Sequence, residues 1–249
     1  MTDLILPPWS APAKVSACCT TRLGGVSAAP YDSFNLALHV GDDAERVRQN
    51  RERLRQKLAL PREPGWIDQI HGSASVVLES DTGRQADAAI TRQPGQAAVV
   101  MTADCLPILL CDRAGGEVAA VHAGWRGLQA GVIETALATM QTPAAQLMAW
   151  IGPGISQAAF EVGDEVRSAF ADASAENEAY FEAHGPGHWL CDLAGIAERV
   201  LQAEGVSRIY RDPHCTYRDS GLFYSYRRDG ATGRMAALIW INGEGDPGA

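Results

Sequence analysis

Six short apolar runs follow one another between residues 66 and 122, and this succession limits the possible folds more than any other feature of the chain. They lie at 66–70, 75–79, 86–90, 97–101, 106–111 and 118–122. Each has the length of a strand, and several are bounded by Gly or Pro. Further strands are expected at 147–151, 206–210, 222–226 and 234–241. Helices are expected in four places. The first follows Asp42-Asp43, which can cap it, and runs to about Leu58, with Val47, Leu54 and Leu58 on one face and Pro61 closing it. The others are expected at 128–140, 163–171 and 192–204, the last stopped by Gly205. Strands outnumber helices and occur in runs, so the expected class is α+β rather than an alternating parallel fold. No internal repeat or low-complexity linker divides the chain, and a single domain is expected over 1–249. Within it, 171–188 reads as a charged, exposed excursion and 242–249 as a loose polar tail.

Charge and hydropathy exclude several classes of function. The chain has 21 basic and 30 acidic residues, a net charge of −9. No basic field exists to neutralise phosphates, which argues against nucleic acid, and an electrostatic membrane binder is equally disfavoured. The most apolar stretch, 97–111, is interrupted by Thr102, Asp104 and Pro107 and is too short to span a bilayer. The N-terminus has no base before Lys14, and its apolar run stops at Pro7-Pro8, unlike a signal peptide. A cytoplasmic location is therefore expected. The cysteines at 18, 19, 105, 111, 191 and 215 then read as free thiols.

Several reaction classes lack their motifs. The chain has no phosphate-binding loop of the Gly-x-x-x-x-Gly-Lys type, no Gly-x-Gly-x-x-Gly turn and no Gly-x-Ser-x-Gly elbow. The His-x-Glu and Pro-Cys-x-x-Cys pattern of the common zinc deaminases is also missing. Six histidines in all are too few for a multicopper electron-transfer cluster.

Three segments carry candidate chemistry: Gln69-Ile-His71-Gly72, Thr102-Ala-Asp-Cys105-Leu-Pro107 and Val121-His122-Ala-Gly-Trp-Arg126-Gly127. Each places a soft or borderline metal ligand at the end of an apolar run, where Gly or Pro turns the chain. Taken singly, a Cys in such a run is ordinarily a small buried hydrophobe, and a His there a hydrogen-bonded structural residue. Together, His71, Cys105 and His122 could converge at neighbouring strand ends. Two imidazoles and a thiolate suit Zn²⁺ and would leave a fourth position for water or substrate. The same residues allow a second reading, in which Cys105 is a thiolate nucleophile and His122 its base. Both require the same proximity, and the sequence does not choose between them.

Anion binding is a further theme. Arg126 lies between two glycines at an expected helix start, where amides and guanidinium would seat a phosphate or carboxylate. Arg22, beside Gly24-Gly25, offers a similar arrangement, although an Arg beside a turn is more commonly a surface ion pair. Asn35 and Asp87 are polar residues in apolar surroundings, either hydrogen-bonded structure or substrate contacts. Tyr224, Tyr226, Arg227 and Arg228 read as a half-buried strand with a solvated end. His184 and His188 flank Gly-Pro-Gly and read as loop residues.

These motifs, with Thr21-Arg22-x-Gly24-Gly25-Val26-Ser27, Ser33-Phe-Asn35-Leu, Val40-Gly41-Asp42-Asp43, Gly152-Pro153-x-Ile155, Phe160-Glu-Val-Gly163, Cys215-Thr-Tyr217 and Phe223-Tyr-Ser-Tyr-Arg-Arg-Asp229, resemble the laccase-domain family. It is also known as the peptidoglycan editing factor or polyphenol oxidase family, and its members are described as purine nucleoside phosphorylases. The resemblance runs to about Trp240 and so covers nearly the whole chain. It implies a layered α/β/β/α sandwich, shared with cysteine-hydrolase-like toxins that use a Cys–His pair. It implies zinc held by His71, Cys105 and His122. It also implies phosphorolysis of adenosine, inosine and methylthioadenosine, with deamination of adenosine. Purine nucleoside and phosphate are then the expected small-molecule partners of a monomer or homodimer, with Arg22, Asn35, Gln69 and Arg126 as their expected contacts. Two alternatives stand beside this reading. One is a cytoplasmic hydrolase that edits peptidoglycan precursors by removing misincorporated serine from a nucleotide-linked muramoyl intermediate. The other is a non-enzymatic zinc module, with Cys215 as a fourth ligand closing the site.

Overall fold

The computed structural model describes residues 4–243. Residues 244–249 of the expected tail lie outside them; Asn242 is tied to the Lys14 carbonyl through its amide. The strands form two stacked sheets and a small third one. The first has the order β1 (Leu4–Ile5), β2 (Val15–Thr20), β13 (Met235–Ile241) and β5 (Ala97–Thr102), paired antiparallel throughout. The second has the order β12 (Arg208–Arg211), β8 (Leu147–Ile151), β6 (Leu106–Asp112), β7 (Val118–Ala123), β4 (Ala88–Thr91) and β3 (Ser75–Val77). Its two outer pairs, β12–β8 and β3–β4, are parallel, and the rest are antiparallel. The third joins β10 (Phe181–Ala183), β11 (His188–Cys191) and β9 (Glu161–Gly163).

The continuous apolar character of β5, β6, β7 and β13 follows from burial on both faces. Along β6, Leu109 and Cys111 point toward the first sheet, where they meet Val100, Ala237 and Ile239; Trp150 of β8 shares that layer. Leu106, Ile108 and Leu110 point the other way, onto helices α3 (Val132–Thr139), α4 (Asp164–Ala173) and α5 (Leu193–Ala203). The outer face of the first sheet, including Val99, Met101 and Leu238, packs against Leu54 of α1 (Ala44–Lys57). Helix, sheet, sheet and helices stack in that order, as expected for an α/β/β/α sandwich of the α+β class.

Local chemistry places the helix ends. Asp43 caps α1, its carboxylate accepting from the amides of Glu45 and Arg46. Asp192 caps α5 through the Gly195 amide. Four expectations need correction. The helix expected at 128–140 is two helices, α2 (Trp125–Gln129) and α3, because Gly131 between them turns left-handed at φ 86°. Residues 66–70 are not a strand. The Gln69 side chain takes the place of a backbone ladder there, donating to the Met101 carbonyl and accepting from the Met101 amide, both at 2.8 Å. Residues 222–226 are likewise no strand: Ser225 caps the short helix α6 (Tyr226–Asp229), and the Arg228 guanidinium takes the carbonyls of Thr216, Tyr217 and Phe223. Finally, 171–188 is structured. It completes α4, makes a 3-10 turn at Ala175–Tyr180 and contributes β10, with Asn177 and Phe181 buried; His188 opens β11 rather than lying in a loop.

Candidate metal centre and its cavity

His71, Cys105 and His122 come together from three elements. Cys105 immediately precedes β6, His122 lies near the end of β7, and antiparallel pairing of these strands sets Leu106 against Ala123 and Pro107 against His122. His71 arrives on the loop between residue 65 and β3. One ligand atom from each side chain lies within 4.8 Å of the other two, and the two imidazole rings meet edge to face at 4.9 Å. Among the described residues this is the single group of three or more His, Cys, Asp or Glu side chains arranged to hold a metal ion.

Asp87 organises the group. It is fully buried, one residue before β4. Its Oδ1 lies 2.8 Å from His122 Nδ1 and accepts from the His71 amide at 3.0 Å, while Oδ2 accepts from the Gly72 amide at 2.7 Å and the Ile70 amide at 3.3 Å. With Nδ1 engaged, His122 has Nε2 left for a metal. The three amide bonds hold the His71 loop, where His71 itself adopts a left-handed backbone, φ 59°. Asp104, just before Cys105, is also left-handed, φ 97°. Its buried carboxylate is fixed by Thr216 Oγ1, Ser225 Oγ and the Arg227 amide. Strained positions of this kind persist only where the surroundings over-determine them.

Cys105 and Cys215 are both held below the ordinary thiol value, Cys215 because its burial is outweighed by hydrogen bonds from Ser156 and nearby amides, and only Cys105 is lowered by imidazoles. Burial pushes the Cys105 pKa up, but His122 and His71 outweigh that and bring it down to about 6. Burial pushes His122 down, but the Cys105 thiolate and Asp87 raise it to about 9. Cys18, Cys111 and Cys191 are instead pushed by burial to about 12. In metal-free protein, iodoacetamide should therefore modify Cys105 with a rate that rises with pH through a midpoint near 6, and metal loading should suppress it. A midpoint near 9 would contradict the pairing.

The group lines a cavity of about 430 Å³, together with His39, Gln69, Met101, Thr102, Ala103, Tyr226 and Arg234. That is within the usual range for small-molecule sites. Of the expected contacts, only Gln69 is on this wall, and both ends of its amide are already bonded to Met101. Asn35 is fully buried away from it, bonded to Ala37, Asp42 and the Arg234 amide. Arg22 is held by Asp32 and the Ser220 carbonyl and lies over the Tyr224 ring. Arg126 is exposed and lies over the Trp125 ring. The glycines around it serve packing. A Cβ on Gly124 would come within 2.9 Å of Cys105 Sγ, and one on Gly127 within 2.8 Å of the Gly72 carbonyl oxygen. Cys215 is not a fourth ligand; its Sγ accepts from the Ser156 amide and hydroxyl. Arg234 and His39 escaped the sequence reading. Arg234 stood at the edge of an expected strand directly after Gly233, an Arg near a glycine at a strand end as Arg22 is, whereas His39 carried no local signal.

Comparisons with known proteins identify the family of the chain. A protein of Pseudomonas aeruginosa named purine nucleoside phosphorylase is 48% identical over 97% of this chain and 99% of its own. One of Escherichia coli K12 with the same name is 46% identical over 97% of this chain and all of its own. The crystal structure of a Neisseria meningitidis protein superposes with a TM-score of 0.94 at 47% identity, covering 97% of this chain and 100% of that one. A Geobacillus stearothermophilus structure gives 0.86 at 32%, covering 94% of each chain. The sequence model described as multi-copper polyphenol oxidoreductase laccase matches residues 16–242, and the chain belongs to that family.

Proposed function

We propose that this protein is a zinc-dependent purine nucleoside phosphorylase that accepts adenosine, inosine and methylthioadenosine and also deaminates adenosine. The observation that carries the reading is the convergence of His71, Cys105 and His122 on one cavity of small-molecule size. The names of the relatives at 46–48% identity support the reaction class. The donor set fits zinc: two imidazoles and a thiolate of lowered pKa, with Asp87 fixing one imidazole from behind. When bound, zinc supplies Lewis-acid polarisation of a substrate oxygen or of water. One group of three ligands among the described residues suits that role better than the multicopper electron transfer in the family's name.

In phosphorolysis a phosphate oxygen bonds to the ribose C1′ as the bond from C1′ to the purine nitrogen breaks, and the base leaves with a proton. In deamination a water oxygen bonds to the purine carbon bearing the amine, and ammonia leaves. The chain contributes enclosure and orientation to both. Tyr226, 62% exposed on the cavity wall, offers its ring as a stacking face for the purine. Asp87 keeps the His122 ring in one orientation, and Gln69 anchors the approach to His71 on β5.

The test is incubation of zinc-loaded protein with adenosine, with and without phosphate, and identification of products by mass. Adenine and ribose 1-phosphate are expected only with phosphate; inosine is expected without phosphate, and inosine together with the hypoxanthine released from it when phosphate is present. Equal adenine release without phosphate, or no nucleoside turnover, would contradict the reading.

A further inference from the structure

The two arginines expected to seat an anion, Arg22 and Arg126, are absent from the cavity wall, whereas Arg234 is part of it. Arg234 sits just before β13, and the register of β13 on β5 sets its neighbour Met235 against Thr102. The end of this strand pair thus brings Arg234 and Thr102 together beside the metal group. Arg234 is half-buried and rigidly held. Its amide is bonded to Asn35 Oδ1 at 2.9 Å, and one terminal nitrogen is bonded to the carbonyls of Thr232 and Gly233. Those partners are neutral carbonyls, and among the described residues no carboxylate is ion-paired with its guanidinium. Burial pushes the guanidinium below its ordinary pKa, against the weaker pull of Cys105 and Asp104; a partly desolvated cation of this kind is stabilised by an incoming anion. Thr102 is 2% exposed and lines the cavity, and its Oγ1 is buried without a hydrogen-bond partner. A buried hydroxyl left unsatisfied is costly unless a ligand completes it. His39 lies on the same wall, close enough to Arg234 to feel its charge.

We propose that Arg234, with the Thr102 hydroxyl and the His39 ring, forms the seat for the phosphate co-substrate in this cavity. The seat replaces the one the sequence suggested at Arg126. Guanidinium and hydroxyl donate to the phosphate oxygens, and Asn35 acts as a positioning residue that fixes the Arg234 backbone.

The inference rests on the phosphorolysis reading, and the experiment separates the two. Initial rates of adenosine phosphorolysis are measured in zinc-loaded wild type, Arg234→Gln, Arg234→Lys, Thr102→Val and Arg126→Gln while phosphate and adenosine are varied independently; zinc content and direct binding of radiolabelled inorganic phosphate by equilibrium dialysis are measured alongside. Arg234→Gln should raise the KM for phosphate about tenfold to a hundredfold, with zinc content and the KM for adenosine within about twofold and phosphate retention in dialysis lost. Arg234→Lys should recover part of the loss, because the charge remains. Thr102→Val, which deletes only the hydroxyl, should raise the phosphate KM about threefold to tenfold. Arg126→Gln should leave it within about twofold. A phosphate-dependent wild type whose phosphate KM is unchanged in Arg234→Gln would overturn the seat and leave the phosphorolysis reading standing. The same holds if the loss appears in Arg126→Gln instead. Loss of zinc or of adenosine binding in both Arg234 variants would assign the residue to the fold and overturn the seat as well. A wild type that releases adenine equally without phosphate would overturn the reading itself.

Discussion

His71→Ala should yield a folded protein that carries no metal and turns over nucleoside no faster than the assay background. The donor set has three members, and removal of one leaves two, short of the three protein ligands of an open catalytic site. His71 is on an exposed loop, so its loss deletes little packing. Its left-handed backbone adds a cost of about 1 kcal/mol or less beyond what histidine already bears. Unfolding by urea should therefore shift little while metal analysis and turnover collapse. His122→Ala should lose the metal equally and be destabilised as well. It leaves the fully buried Asp87 carboxylate without its imidazole partner, a change that costs on the order of 3–5 kcal/mol when a buried charge is stranded. The contrast between the two variants separates ligation from folding. Full metal occupancy in His71→Ala would remove it from the ligand set.

Asp87→Asn is expected to lower metal affinity and turnover by about tenfold to a hundredfold without touching a ligand, the usual cost of losing a partner behind a metal-bound histidine. The substitution preserves shape but replaces one acceptor oxygen with an amide NH2, which only donates. Both oxygens of Asp87 are already used as acceptors, Oδ1 by His122 and His71, Oδ2 by Ile70 and Gly72. Either amide orientation therefore sets a donor against a donor, at a stability cost of about 1–3 kcal/mol. The pH dependence follows from the same contacts. Burial pushes the carboxyl up, but the His122 contact and the loop amides outweigh it and hold its pKa below the ordinary value. Its contribution to stability is then present above about pH 4 and lost as pH falls through the lowered value. Wild type should lose stability across that acid range, and Asp87→Asn should lose less. Urea midpoints measured between neutral pH and pH 3 check both the cost and the sign; identical acid profiles would contradict the assignment.

The layered fold was legible from the sequence because its central strands are buried on both faces and so appear as unbroken apolar runs. Runs at 97–101, 106–111, 118–122 and 147–151 fall on β5, β6, β7 and β8 within a residue. The ends and edges were less legible. At 66–70 apolar residues flank Gln69, and no local pattern reveals that a side-chain amide takes over the ladder to β5. At 222–226 the aromatic run is fixed by the Arg228 side chain reaching back to the carbonyls of Thr216, Tyr217 and Phe223. The three donors could be picked out because each stands where an apolar run meets a turn. Asp87 was noticed as a polar residue among apolar ones, but its partners lie 15–35 positions away, and only tertiary pairing brings them together. Arg22 and Arg126 had the right neighbours in sequence and point to other partners in space. Arg234 reaches the cavity because β13, the last strand, lies beside β5, a juxtaposition invisible in local composition.

One metal held by His71, Cys105 and His122 should account for all of the turnover. The most direct test is titration of metal-free protein with zinc while adenosine phosphorolysis is monitored. Turnover should start at background, rise linearly and break at about one equivalent per chain, the stoichiometry of one three-ligand site. Full turnover in protein shown by analysis to be metal-free, or zinc uptake with no gain in activity, would contradict it.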